Sequence, residues 1–186
     1  MKKSLTIIGI LLFVALAAYV CVRFVQARSF RVPGEAKVEL TQLSPRASYL
    51  SGVYYLRTDV APHLEQLILA AEKDGMCLIV KAGYRTKEHQ QKLYDNAKNK
   101  SIVALPGISE HEQGIAVDFD ACPMIDGVRN DSGERLELRN EFVTLPEYQW
   151  LLKNASRYGF AQSYTEDNRV QTGLPPEPWH WKYIGL

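Results

Sequence analysis

The chain has 186 residues, 46% apolar and 23% charged, which is room for one domain with its own core and too apolar a composition for intrinsic disorder. Its formal charge of +1 hides an uneven distribution: residues 1–28 carry Lys2, Lys3, Arg23 and Arg28 and no acid, leaving 18 basic and 21 acidic residues beyond them, a net of −3. That balance argues against a nucleic-acid partner, which needs a basic face to neutralise phosphates.

From Ser4 to Val22 no residue is charged. A helix of about 19 residues rising 1.5 Å each is roughly 28 Å long, close to the hydrocarbon thickness of a bilayer. Lys2 and Lys3 ahead of it predict a cytoplasmic N-terminus, so residues 1–27 read as a single-pass anchor in the cytoplasmic membrane with the remainder on the extracytoplasmic side. The competing reading is a signal sequence cleaved near Val25-Gln26-Ala27 and a secreted product, although the apolar run exceeds the usual h-region of about 7 to 15 residues. Cys21 lies in no recognisable lipobox. Residues 28–53, with Pro33, Gly34, Ser44 and Pro45, read as a stem leaving the membrane, and residues 54–186 as the folded domain.

Within that domain, Val60, Leu64, Leu67, Ile68 and Ala71 are spaced as one face of a helix ending at Gly75. His63 and Glu65 beside that stripe read as an ordinary polar pair. Cys77 to Ala82 is short, apolar and β-branched, a core strand running into Gly83-Tyr84-Arg85-Thr86. Thr86 is a suitable cap for a helix to about Lys98, with Gln90, Leu93, Tyr94 and Ala97 along one side and His89 solvated. Arg85, between a strand end and a helix start, stands where substrate contacts often lie, though a surface salt bridge would explain it equally well.

The stretch from Ser109 to Asp118 places a histidine and an aspartate seven residues apart ahead of an apolar alternation, Ile115, Val117 and Phe119, that predicts a buried strand. An odd offset would turn His111 and Asp118 to opposite faces of one regular strand, so a bend at Gly114 is required. Residues 123–143 are rich in Asp, Asn, Gly, Arg and Glu and read as a long polar excursion. Thr144-Leu145-Pro146-Glu147 has the capping-box pattern and opens a helix with Leu151, Leu152 and Ala155 that ends at Gly159. Phe160 to Ser163 reads as a strand, Pro175 and Pro176 break the chain, and Trp181, Tyr183 and Ile184 mark a final strand. Cys77 opens one strand and Cys122 closes another; export would permit a bridge between them at the end of the sheet away from Asp118, with two free thiols as the other option.

His111, Asp118 and His180 form a three-ligand set for one zinc ion that leaves a fourth tetrahedral position open, the pattern of a catalytic site. Glu177, three residues before His180, is left over as the base for a water. Zinc would bring the pKa of bound water from about 15.7 to about 7 and polarise a carbonyl. No Ser-x-x-Lys and no complete nucleophile elbow is present, His111-Glu112 is not followed by histidine at position 115, and P-loop and dinucleotide fingerprints are missing.

Ser109 to Asp118 fills every fixed position of S-x-H-x-x-G-x-A-x-D, and Glu177-Pro178-Trp179-His180 matches the E-P-W-H that accompanies it. With Gly83-Tyr84-Arg85 upstream, the chain from about Tyr54 onward resembles the zinc D-Ala-D-Ala carboxypeptidases of the VanY type, in the wider group of lysostaphin, D-Ala-D-Ala metallopeptidases and hedgehog. The resemblance implies an α+β fold, a small antiparallel sheet flanked by helices in a single domain. It implies His111, Asp118 and His180 on one Zn2+, Glu177 as general base, and Arg85 and Gln90 at the substrate's terminal carboxylate or the oxygen where charge develops. Ser109, and Tyr84 and Trp179 within the same motifs, are expected near substrate. Ala82 and Thr86 replace the serines that flank Gly-Tyr-Arg in many relatives, which leaves detailed preference open. The expected activity is removal of the C-terminal D-alanine from peptidoglycan stem peptides. The alternatives are an endopeptidase or L,D-carboxypeptidase of the same family, or a zinc module that binds wall peptide without cutting it.

Overall fold

A computed structural model of the chain describes residues 29–31, 38–44, 47, 52–122, 124–125, 128–129 and 141–186. The expected anchor, residues 1–27, lies outside the described residues; among these, no helix is long and apolar enough to cross a membrane. In chain order the elements are β1 (Ser29–Arg31), β2 (Glu39–Gln42), β3 (Tyr55–Arg57), α1 (Ala61–Lys73), β4 (Leu78–Ala82), α2 (Lys87–Asn96), β5 (Ala116–Ala121), β6 (Met124–Ile125), β7 (Val128–Arg129), α3 (Pro146–Asn154), β8 (Phe160–Gln162), the single turn α4 (Arg169–Thr172) and β9 (His180–Tyr183).

The central sheet is antiparallel throughout, in the order β4-β5-β9-β8. Its two faces follow from the alternation of side chains along each strand. Val117 and Phe119 of β5 and Trp181 of β9 join Leu64, Leu67, Ile68 and Ala71 of α1 and Leu151 of α3 in one buried cluster. Each fully buried leucine there contributes roughly 1.5–3 kcal/mol of transfer free energy, so the helical layer is held by this face. Asp118 and His180 belong to the other face, and the register sets them directly opposite one another. The α+β architecture with small antiparallel sheets agrees with expectation.

Part of the expected stem is built into the domain. Strands β1, β2 and β3 form a second antiparallel sheet, and Leu40, Leu43 and Ala47 are fully buried. Glu65 on α1 accepts a hydrogen bond from the Ser44 backbone at 3.0 Å, and His63 stacks on Tyr183 at 4.9 Å, so that polar pair has structural work. Of the expected excursion, the described part holds the β6–β7 hairpin and, after Glu141, a 3-10 turn at Phe142–Thr144; residues 123, 126–127 and 130–140 lie outside the described ones.

The helix start near Thr144 differs in detail from the capping box. Leu145 is the N-cap without a side-chain bond, and the Thr144 hydroxyl donates to the Glu141 carbonyl. Glu147, instead of reaching back, accepts from the backbone of Cys77 at 3.3 Å and is itself buried. A strand start elsewhere in the fold has captured the carboxylate meant for the local motif. Leu152 is 51% exposed, and Trp150, donating to Asp74 at 2.8 Å, takes the buried place.

Cys77 and Cys122 are disulfide-bonded, with Cα atoms 5.4 Å apart, one residue beyond the Leu78↔Ala121 pair of β4 and β5. The bridge closes the end of the sheet opposite the Ala82↔Asp118 end, as expected. Of the three cysteines only Cys21 is then left to react. Thiol titration of the denatured, non-reduced chain is expected to find one free thiol; three would contradict the bridge.

Candidate active site

The open face of the sheet presents two donors directly. Asp118 on β5 and His180 on β9 are cross-strand partners, and Asp118 Oδ1 lies 3.1 Å from His180 Nδ1. His111 arrives by another route. It sits in the turn before β5, where Gly114 has φ +68° and a Cβ would come within 3.1 Å of the Arg57 backbone nitrogen. That left-handed residue suits glycine and lets the chain double back, placing His111 Nε2 3.4 Å from the same Asp118 oxygen.

Each imidazole is oriented by its other nitrogen. His111 Nδ1 lies 2.8 Å from the Gly83 carbonyl, and His180 Nε2 lies 2.9 Å from Glu110 Oε2. When the rings are neutral and carry their N–H on those atoms, His111 Nε2 and His180 Nδ1 turn lone pairs toward Asp118, the form that suits metal ligation; a protonated ring donates to Asp118 as well. Gly83 itself is required by packing, since a Cβ there would stand 2.6 Å from the Tyr55 carbonyl oxygen.

These three donor atoms lie within 4.8 Å of one another. Metal–ligand bonds of about 2.0–2.1 Å at tetrahedral angles put neighbouring donors about 3.3 Å apart, and the 3.1 and 3.4 Å separations around Asp118 straddle that value. The set fits one zinc ion. Glu177 stands on the turn leading into β9, closed by the His180 N–H donating to its carbonyl, and its Oε2 lies 3.7 Å from His180 Nδ1. The acid therefore borders the donor cluster without joining the strand-to-strand contact.

A cavity of about 420 Å³ opens over this cluster, and Arg85, Gln90, Ser109, His111, Asp118, Glu177 and His180 all contribute to its wall. The motifs at positions 83–90, 109–118 and 177–180, far apart in the chain, thus meet at one place. A model of the VanY D-alanyl-D-alanine carboxypeptidase family matches residues 53–186. The chain belongs to the VanY family. It is 33% identical over 171 residues to a D-alanyl-D-alanine carboxypeptidase of Enterococcus faecalis, a match covering 83% of this chain and 55% of that enzyme, so it spans little more than half the relative's length. Among solved structures, a vancomycin-resistance D,D-pentapeptidase VanY in complex with Zn(II) is similar at 33% identity and a TM-score of 0.61, covering 83% of each chain. The LdcB LD-carboxypeptidase is similar at 30% identity and a TM-score of 0.64, covering 78% of this chain and 68% of that one.

The expected substrate contacts in this VanY domain are not all placed alike. Gln90 is buried, its Oε1 accepting from Arg85 Nη1 and its Nε2 donating to the Ala104 carbonyl, both at 2.8 Å. Its amide therefore fixes the guanidinium and the 104 loop. Trp179 does not line the cavity: it packs against the apolar core, because His180 next to it faces the site. Tyr84 is also outside that wall, whereas Arg85 beside it is inside. Two residues of the site escaped the sequence reading. Glu110 is one; Tyr164 is the other, its ring 4.8 Å from that of His180 and in the cavity wall. Burial pushes the Tyr164 hydroxyl's pKa up, with the carboxylates of Glu110, Glu177 and Asp118 adding to the effect.

Electrostatics follow from this crowding. Burial alone would raise Glu110, but hydrogen bonds from His180, Lys182 and Ser163 bring it down to about 2. Burial alone would lower His180, but hydrogen bonds to Asp118 and Glu110 push it up to about 9. Asp118, despite its burial, is held well below the carboxylate range by the charge of His111 and by hydrogen bonds from both imidazoles. Arg85 is lowered by burial and supported by the charges of Asp118, Glu177 and Glu112.

A raised histidine stabilises the metal-free fold fully below its unfolded value near 6.5, and that contribution is lost as pH rises through about 9. A depressed carboxylate stabilises it above 4.5, and that contribution is lost as pH falls through about 2. The metal-free chain is expected to be most stable between about pH 4.5 and 6.5. Urea midpoints in the presence of a chelator, taken across the range from about pH 2 to 10, check this; a midpoint still climbing above pH 9 would contradict it.

Proposed function

We propose that this chain is a zinc-dependent D-alanyl-D-alanine carboxypeptidase that removes the terminal D-alanine from peptidoglycan stem peptides on the extracytoplasmic side of the membrane. The observation that carries the reading is the placement of Glu177 beside the His111, Asp118 and His180 cluster, with Arg85 in the wall of the same cavity. Zinc, when bound to those three side chains, supplies Lewis-acid polarisation of the scissile carbonyl and a water acidic enough to attack at neutral pH. Glu177 takes the proton of the attacking water and hands it to the leaving amine. Arg85, pinned by Gln90, offers a fixed guanidinium to a free carboxylate, and this favours cleavage at a chain end over cleavage within it.

The disulfide and the apolar run from Ser4 to Val22 support an exported enzyme held by residues 1–27, with secretion after signal cleavage as the other arrangement. The likeness to an LD-carboxypeptidase keeps a second substrate class in view. Synthetic stems differing only in the last two residues, and cross-linked muropeptides, are to be incubated with the full chain and zinc and the products weighed. Loss of one D-alanine from the D-Ala-D-Ala stem supports the proposal. Release only from an L-residue–D-Ala stem would make it an L,D-carboxypeptidase, cutting only of cross-linked material an endopeptidase, and binding without cutting a wall-peptide module.

A further inference from the structure

The two histidines of the donor set are held by unlike means. His111 leans on a backbone carbonyl, that of Gly83, which no side-chain replacement removes. His180 leans on a side chain, and that side chain is part of a built network. Glu110 is only 14% exposed; its Oε2 accepts from His180 Nε2 at 2.9 Å and from Ser163 Oγ at 2.5 Å, and its Oε1 accepts from Lys182 Nζ at 2.6 Å. Lys182 is two residues beyond His180 and so shares its face of β9. Ser163 is anchored in turn, its N–H donating to the His180 carbonyl and its own carbonyl accepting from Asn168.

We propose that Glu110 is a positioning residue for metal ligation: it fixes the tautomer and ring plane of His180 so that Nδ1 faces the zinc, while Ser163 and Lys182 hold Glu110 in place. This rests on the zinc reading above. A neutral imidazole carries one N–H, and the acceptor it meets decides which nitrogen bears it. Carboxylates that receive a ligand histidine's second N–H orient the ring and raise its basicity as a donor. Lys182 offsets the carboxylate's charge, so the network orients the ring without adding net negative charge beside Asp118. Without Glu110, His180 Nε2 would lose its carboxylate, and the ring would keep Asp118 at 3.1 Å and Glu177 at 3.7 Å on the Nδ1 side and the rings of Tyr164 and His111, whose centroids lie 4.8 Å away.

The test measures zinc affinity of the full chain by competition with a chromophoric chelator, together with the visible spectrum of the Co(II) form. Glu110→Ala is expected to bind zinc about 10- to 100-fold more weakly and to alter the cobalt bands, with its far-ultraviolet dichroism unchanged. Glu110→Gln, whose amide oxygen still accepts from Nε2, is expected to recover most of the affinity, a rescue that a merely structural role would not produce. Should Glu110→Ala fail to fold, Ser163→Ala decides, with an expected loss of about three- to tenfold from removal of one hydrogen bond. A Glu110→Ala chain with wild-type affinity and spectrum overturns the inference, as does a Glu110→Gln chain as weak as the alanine variant, or unchanged affinity in Ser163→Ala. A wild-type chain that takes up no zinc overturns the metal reading along with it.

Discussion

Glu177→Ala is expected to retain zinc and lose on the order of 100- to 10,000-fold in turnover, about 3 to 5 kcal/mol of barrier. The split follows from where the side chain stands. Asp118 Oδ1 is the oxygen that both imidazoles face, at 3.1 and 3.4 Å, whereas Glu177 Oε2 stands farther out, 3.7 Å from His180 Nδ1, and its side chain lines the cavity. Removing it leaves three donors intact and deletes the group proposed to move the proton. Its backbone contacts, the N–H to Tyr164 and the carbonyl to His180, survive the substitution, so the turn into β9 persists. Zinc stoichiometry by atomic absorption and turnover on a D-Ala-D-Ala stem separate the two quantities. Activity like that of the wild type would remove Glu177 from the chemistry, and loss of zinc would make it a ligand.

The donor set could be read in the sequence because each ligand sits in a short stretch whose local pattern is informative. Alternation at Ile115, Val117 and Phe119 predicted the strand that carries Asp118, the glycine before it predicted the bend that brings His111 round, and E-P-W-H placed acid and histidine three apart, the spacing a tight turn closes. Glu110 was not legible in this way. It occupies a position that the motif leaves unspecified, and its partners Ser163, His180 and Lys182 lie 53, 70 and 72 residues away. One signal was available: a lysine two residues after a ligand histidine on a strand shares its face, so an acid placed beside that histidine can pair with both.

The same physics explains the misplaced expectations. Leu40 and Leu43 are isolated apolar residues among polar ones, too few to show a strand period, yet both are buried once β2 pairs with β3. Glu147 satisfied a local capping pattern, but a backbone N–H from a distant strand start outcompeted the cap. Trp179 was expected at the substrate because it stands inside a motif; the turn that aims Glu177 and His180 at the site aims the indole at the core. Short-range pattern fixes which elements form, while the partner of a polar side chain is decided by packing that no window of neighbours contains.

His180→Ala is expected to abolish stoichiometric zinc binding at micromolar metal, and turnover with it. The loss exceeds that expected for Glu110→Ala because a ligand is deleted instead of misaimed: two protein donors remain where a catalytic zinc site uses three. The deletion also disturbs its surroundings. Asp118 loses the 3.1 Å contact, and Glu110 keeps Lys182 and Ser163 as partners while losing the imidazole. The backbone of β9 continues to pair with β5 and β8, and Trp181 and Tyr183 still pack on the core, so the fold survives. Equilibrium dialysis against zinc, with circular dichroism as the control for folding, measures this. If a folded His180→Ala chain bound one zinc as tightly as the wild type, the fourth side chain of the cluster, Glu177, would have to be the third ligand, and the division of labour between base and ligands would need to be reversed.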